Sequence, residues 1–557
     1  MTVQESPEDE VAPPQDVGTG GLLRSSAVMA VGTLASRLTG FLRVTVIAAV
    51  LGSTALSNAY NTANNAPNSV YELFLGGVLS AVLVPLLVRA DKRSRAEGEL
   101  YGQRLLTLVL LVLVLLTVLV VAGAPLILDV IAGGMVEEQR AVAIAFLRYF
   151  LPQILFLGVG AVLIAILQAR RRFAAPMWVP VLNNLTVIAT GLLFVYVVDG
   201  QPTAETITPG ETMLLGIGTT AGIVVQTFAL VPSLLRAGFR PRLRVGFGSL
   251  GLGMIGRVGM WTIVYVATNL AQLFVVTNIG GAIDSRVEEV HSAVNYGYTP
   301  YLNAFTVFSL PHAIVAVSVI TALLPRMSGH AADGRFGLVR DDLSVGIRLA
   351  AVLIVPSAVA LIVLGRPIGL IIFRHGYYTA PNATYTGLVI AAFAVGLVPF
   401  SVFQLLLRVC FALQDTKTPA LVNLVGTGVA VLVGIVCYLV LPYRAVMVAL
   451  ALTYGLNYVV NAVLTAVLLR RRLGGVDGRR IVGSLVRMIV AAVPGGVLGW
   501  LETIGVRGAL GDSFAGALVS VLAGGVLVLG VFVALGRLLR VREMGAVMAT
   551  FRGRLGR

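Results

Sequence analysis

Runs of eighteen or more predominantly apolar residues recur from one end of this chain to the other. As a helix, each is long enough to cross the ~30 Å of hydrocarbon inside a bilayer. No other feature constrains the fold as strongly. Of 557 residues, 57% are hydrophobic and 12% charged, against about 25% charged in a soluble domain. Water-soluble domains of this total length would lack the polar surface to cover themselves. A membrane β-barrel is excluded too, because its strands are ~10-residue segments of alternating hydropathy. The expected fold is an all-α polytopic membrane protein. Hydropathy places about fourteen transmembrane helices, near residues 27–51, 69–88, 105–125, 141–168, 177–198, 213–235, 257–280, 299–324, 343–364, 385–412, 419–441, 445–469, 481–501 and 514–536.

The formal charge is +15, from 41 Lys and Arg against 26 Asp and Glu. Positive residues collect in cytoplasmic loops, which accounts for the excess without a nucleic-acid partner. With the N-terminus cytoplasmic, inside loops and tails hold 31 of the 41, among them Arg89/Lys92/Arg93/Arg95, Arg170–Arg172, Arg236/Arg240/Arg242/Arg244 and Arg470–Arg472. Outside loops hold six (Arg140, Arg286, Arg366, Arg374, Arg444 and Arg507), and Arg37, Arg43, Arg148 and Arg408 lie within spans. This split favours an even span count with both termini cytoplasmic. Residues 1–20, acidic and Pro-rich, read as a disordered cytoplasmic tail. They lack the basic start of a cleaved signal peptide. Residues 541–557 read as a basic cytoplasmic tail. Cys410 and Cys437 fall inside apolar spans and read as small buried hydrophobes.

The chain also repeats itself. Pro85 and Pro325 are 240 residues apart, Pro125 and Pro367 are 242, Gly134 and Gly376 are 242, and Pro176 and Pro419 are 243. Each repeat holds six spans, an even number, so the halves have parallel topology. Transporters commonly place the substrate between two such halves and rock them. The expected organisation is an N-lobe over 21–240 (spans 1–6), a C-lobe over 241–475 (spans 7–12) and two additional helices over 476–540.

The first span holds the most expensive residues. An arginine at the bilayer centre costs ~2.5–3.5 kcal/mol on insertion scales, so a lipid-facing position is disfavoured. At 100° per residue, Arg37, Gly40, Ser36 and Arg43 fall within an arc of about 120° opposite Leu34, Leu38, Phe41, Leu42 and Ile47, with the two arginines ~9 Å apart along the axis. A wet cavity is the favoured reading over snorkelling to the interface, more so for Arg43, the deeper of the two. Guanidinium groups facing a cavity suit an anion, because their planar donors grip phosphate oxygens bidentately. The second span opens on Asn58, Asn61, Asn64, Asn65 and Asn68, whose amides suit sugars, peptides or the backbone freed at Pro67. Glu72, one turn into the apolar run, needs a partner, with Arg43 or Arg37 the candidates, unless it lies high enough to be hydrated. Arg148 and Arg408, near span ends, read as interfacial anchors, and Asp415 and Lys417 as shaping an inner loop.

Nothing here suggests catalysis. The G-x-G-x-x-G matches at 246–251 and 251–256 have no βαβ unit around them. His291, His312, His330 and His375 are scattered without ligand spacing. No paired outer-loop carboxylates suggest glycosyl transfer. Neither a metal nor a cofactor is expected.

SRLTGFLR (36–43), AYNTANNAPNSVYELFLGGVLSAVLVPLL (59–87), LQARRRFAAPMWVPVLNN (167–184), SLPHAIVAVSVITALLPRMS (309–328) and ALQDTKTP (412–419) resemble the MurJ/MviN family of lipid II flippases. That family lies within the multidrug/oligosaccharidyl-lipid/polysaccharide exporter superfamily. The resemblance spans residues 22–540 in span count, motif order and spacing. It implies two six-helix lobes, a central cationic cavity, two extra helices grooved for a lipid tail, and alternating access in a bacterial cytoplasmic membrane. Coupling to membrane potential, Na+ or H+ is implied as well. The implied partners are lipid II, membrane lipids and cell-wall synthesis proteins. On this analogy Arg37 and Arg43 meet the diphosphate, and Asn68, with Asn61, Asn65 and Glu72 near it, lines the cavity. Asn58 replaces an acidic residue of the family pattern, Tyr71 and Glu72 replace two basic ones, and Thr306 stands where a cavity arginine is expected. Two alternatives stay open: a flippase for another polyprenyl-diphosphate glycan or cation-coupled exporter of the same fold, and a transport-inactive scaffold for cell-wall enzymes.

Overall fold

A computed structural model describes residues 19–72, 87, 94–170, 172–246 and 252–545 of the chain. Most of both tails, Pro85, Arg89, Lys92, Arg93, Arg171 and residues 247–251 of the glycine motifs lie outside them. The described residues form eighteen helices and no strand. The first lobe contains α1 (Thr19–Leu51), α2 (Ala55–Tyr71), α3 (Arg95–Ala122), α4 (Ala124–Ala132), α5 (Glu137–Phe150), α6 (Gln153–Ala169), α7 (Ala174–Val197), α8 (Pro209–Phe228) and the short α9 (Val231–Arg236). The second contains α10 (Leu252–Glu289), α11 (Tyr298–Ala332), α12 (Phe336–Phe373), α13 (Ala380–Val395), α14 (Leu397–Ala412), α15 (Lys417–Val440) and α16 (Tyr443–Leu473). The additional pair is α17 (Gly478–Leu510) and α18 (Phe514–Leu538).

Local chemistry sets the helix ends. Thr54 caps α2 by accepting from the Ser57 amide. Thr208 and Glu211 close a reciprocal capping box at α8, satisfying amides that a helix start leaves without partners. Gly474 ends α16 in the left-handed region, which glycine adopts without steric cost.

Among the described residues eleven stretches are long and apolar enough to cross a membrane, and the α13–α14 pair, bent by 47°, makes a twelfth. Two further expected spans fall on α11, 35 residues long and interrupted by Pro311 and Pro325, and on α2, whose expected continuation lies outside the described residues. The bend also refines one expectation, since 385–412 reads as a single span but is two helices. At the joint a Cβ on Gly396 would lie 2.6 Å from the Gly455 Cα, so the backbones of α14 and α16 meet more closely than any side chain allows.

Helix positions recur with the repeat. Both ends of α7 and α15 are offset by 243 residues (174 to 417, 197 to 440). Each lobe buries its own core. Phe146, Phe150, Leu151 and Tyr60 centre one, and Phe308, Phe393, Phe403 and Met447 centre the other. In the additional pair, α17 and α18 pack on each other and on α12, with Met488, Ala491 and Phe532 buried between them.

Candidate functional site

The two lobes are tied together at one end, where α1 turns into α2. The Asn58 Oδ1 accepts from the Thr299 amide at 2.7 Å, and Asn61 Nδ2 donates to the Thr299 hydroxyl at 3.2 Å. Asn65 Nδ2 donates to the Tyr298 hydroxyl at 3.1 Å. The Tyr377 amide donates to the Ala49 carbonyl at 2.9 Å. On the far side of the seam, the Thr277 hydroxyl meets the Ile131 carbonyl, and Ser285 Oγ donates to the Gly134 carbonyl at 2.9 Å. These bonds hold the start of α2 against the start of α11, and the α4–α5 turn against α10. They close the space between the lobes at that end.

Below the seam lies a cavity of about 340 Å³ between α2, α10, α11 and α16. Of the expected site residues, Asn65, Asn68 and Glu72 line it. Asn61 is instead committed to the seam. Tyr298, Tyr301, Phe305, Tyr454 and Tyr458 form the opposite wall, with Asn269 and Gln272 beside them. Phenol and amide groups can bond hydroxyls and peptide groups while aromatic faces pack against apolar ones. Glu72 makes no ion pair among the described residues, so the expected pairing with Arg37 or Arg43 is not formed.

The α1 arginines take different surroundings from each other. Arg43 is half-buried, and its charge bears on Tyr60 of α2. Arg37 is exposed, and its charge bears on His312 of α11. The arc expected to line one cavity is divided: Asn184 of α7 donates to the Ser36 carbonyl at 3.2 Å and sits 3.4 Å from where a Cβ on Gly40 would lie. Ser36 and Gly40 therefore form the α1–α7 packing face. The small residues are there because an amide must reach the helix backbone.

Arg408, read as an interfacial anchor, lies 5.9 Å over the Phe411 ring of its own helix. It is half-buried on α14, its Nε has no hydrogen-bond partner among the described residues, and its charge bears on His312 and on Tyr265 of α10. His312, 9% exposed, holds Ser401 through Nδ1 at 3.1 Å. The hydroxyl of Thr306, where an arginine is expected, donates to the Leu302 carbonyl at 3.1 Å. Arg148, by contrast, is exposed on α5. In the loop before α15, burial opposes ionisation of Asp415, but hydrogen bonds from Thr418 and the Arg472 charge outweigh it and hold the carboxyl below its ordinary range.

One group escaped the sequence reading. Asn423 donates to Asn269 at 2.9 Å, Asn461 to Asn423 at 3.2 Å and to Asn457 at 3.0 Å, and Asn457 to Gln272 at 2.9 Å. This amide chain joins α10, α15 and α16, and its Asn269–Gln272 end reaches the cavity wall. The available signal was four-residue spacing, Asn457 to Asn461, inside an apolar span, since a buried amide requires partners.

A family model described as lipid II flippase MurJ matches residues 47–539. The chain is 28% identical over 494 residues to a Synechocystis protein described as a probable lipid II flippase MurJ, covering 88% of this chain and 89% of that one. It is 25% identical over 459 residues to a lipid II flippase MurJ of Burkholderia cenocepacia, covering 81% and 84%. A solved lipid II flippase MurJ in an inward closed conformation has the same fold, with a TM-score of 0.70 at 20% identity over 92% of this chain and 99% of that one.

Proposed function

The chain belongs to the lipid II flippase MurJ family, and from that premise we infer that it carries lipid II from the inner to the outer leaflet of a bacterial cytoplasmic membrane. The observation that carries this reading beyond family membership is the seam. Two lobes of parallel topology, tied at one end over a polar and aromatic cavity, have the form of an alternating-access transporter. With both termini cytoplasmic, the tied end faces outward and the cavity is reached from the inside.

In this reading the diphosphate is gripped by guanidinium groups, Arg43 and Arg37 from the first lobe and Arg408 from the second. Contacts from both lobes let one ligand bias the rocking, because a ligand shifts a conformational equilibrium only through differential affinity for its states. The sugar and peptide parts meet Asn65, Asn68, Glu72 and the tyrosine wall. No bond is made or broken in the substrate, and no cofactor takes part. Membrane potential, Na+ or H+ drives the cycle, and cell-wall synthesis proteins receive the product.

The test is the leaflet distribution of lipid II in cells depleted of the protein and complemented with variants. Wild type restores outer-leaflet lipid II. Arg43→Ala fails at normal protein level, a loss of roughly tenfold or more for a charge-assisted contact worth ~1.5–3 kcal/mol, while Arg43→Lys restores part of it. Full rescue by Arg43→Ala would remove the phosphate clamp, and an unchanged distribution on depletion would remove the flippase assignment.

A further inference from the structure

A second cavity, of about 610 Å³, lies on the seam at the tied end. Its lining comes from both lobes and is acidic: Glu138 at the start of α5 and Glu205 before α8 on one side, Asp284 and Glu288 of α10 on the other. Among the described residues no arginine or lysine lines it. The charges of Glu138 and Glu205 bear on Glu288 across the seam, and that of Glu288 bears on Asp284. Closing the lobes therefore gathers like charges, which is unfavourable unless something neutralises them.

Asp284 is the residue where this matters most. It is 2% exposed, and both carboxylate oxygens are buried with no cation and no well-formed hydrogen bond against them among the described residues, the Tyr298 amide and the Asn295 side chain being their neutral polar neighbours. A methyl group on Gly297 would run into the carboxylate, so glycine is required for α11 to seat on it. A carboxylate buried so deeply without a cation is disfavoured in its charged form, and such a group ordinarily neutralises instead. A metal ion is a poor neutraliser here. Among the described residues no three acidic, histidine or cysteine side chains converge to hold one. A proton needs no such set of ligands.

We propose that Asp284 carries a proton while the lobes are tied at this end and releases it as they part. On parting, the O–H bond breaks, the electron pair stays on the carboxylate and the proton passes to water entering the seam. The carboxylate then lies hydrated beside the start of α11, where a helix terminus favours negative charge. The other groups facing it are Glu288 and His291 from the end of α10, Glu138 from α5, Glu205 from the loop before α8, Tyr298 from α11 and Tyr385 from α13. The sign follows from linkage: the tied state binds more protons than the parted one, so acid favours the tied state and alkali the parted one.

This inference rests on the rocking proposed above, and one experiment separates the two. Spin labels on Asp199→Cys and Leu441→Cys, in a Cys410→Ala/Cys437→Ala background in nanodiscs, report the opening of this end by electron-spin distance measurement. Wild type is expected to shift from short to long distances as pH rises. Asp284→Asn, isosteric and uncharged, is expected to stay short and to lose the pH response, while Glu138→Gln/Glu205→Gln/Glu288→Gln keeps it. Infrared spectra of wild type should contain a protonated, unhydrated carboxyl band, absent from Asp284→Asn, which reads the same proton without the labels. A pH response retained by Asp284→Asn, or lost only in the triple variant, would overturn the role of Asp284. Distances that change with substrate but not with pH would overturn the proton alone. Distances that never change would overturn the rocking and the proton together.

Discussion

Asn58 shows how a residue can be conspicuous in the sequence while its task is not. An asparagine-rich helix start was legible as a polar element inside a membrane protein, and Asn58 stood out as the neutral substitute for an acid. Its fully buried side chain accepts from the Thr299 amide of the other lobe, a partner 241 residues away that no local pattern names. Thr299 lies in the first turn of α11, where amides have no partner within the helix. Asn58→Ala should therefore weaken the tie by about 1 kcal/mol, in line with hydrogen bonds between membrane helices, and lower the tied-to-parted ratio about fivefold. The same spin-label distances read that ratio, and an unchanged distribution would mean that the tie carries no net energy. Glu72 teaches the converse. Charge balance pointed to Arg43 or Arg37, but Glu72 lines the cavity below the seam, while Arg43 lies beside Tyr60 and Arg37 opposite His312. Residue type could state the need for a partner, not which helix would answer it.

At the scale of elements, hydropathy located the spans well, because an apolar run long enough to cross a bilayer has few other folds open to it. What it passed over was the break within 385–412, where Pro399 has no amide to bond the Val395 carbonyl and so interrupts the helix. At the joint itself Gly396 meets Gly455, and small residues let membrane helices approach this closely. Gly396→Ala should force the two backbones apart and cost about 1–3 kcal/mol, the range for overpacking a tight site. Gly428→Ala, with nothing among the described residues within 4 Å of its added carbon, should be neutral or stabilising by up to about 1 kcal/mol, because alanine is the better helix former. Thermal midpoints in detergent, followed by size-exclusion recovery, compare the two. Equal midpoints would mean that the joint is not held by the glycine contact. The amide chain from Asn269 to Asn461 was hidden for a related reason: it is assembled from three helices, and each contributes only one or two unremarkable residues.

For the whole molecule, the repeat offset and the arginine distribution were the strongest long-range signals, and they bear on different things. The offset predicts which helices correspond, and the matching ends of α7 and α15 follow it. The arginine distribution concerns the membrane, which sets orientation through charge in short loops rather than through any contact inside the protein. With 31 of 41 Lys and Arg on one side and six on the other, the tied end of the lobes should face outward. A single cysteine at Asp199, in the exposed α7–α8 loop, should then react with a membrane-impermeant maleimide on intact cells when Cys410 and Cys437 are replaced by alanine. A cysteine at Ala332, exposed where α11 ends, should react only after the membrane is permeabilised. The reverse pattern would place the tied seam and its acidic cavity in the cytoplasm, and the protonation of Asp284 would then follow cytoplasmic rather than external pH. Orientation thus decides which compartment sets the closing of the lobes, and the maleimide pattern is the measurement on which the direction of transport rests.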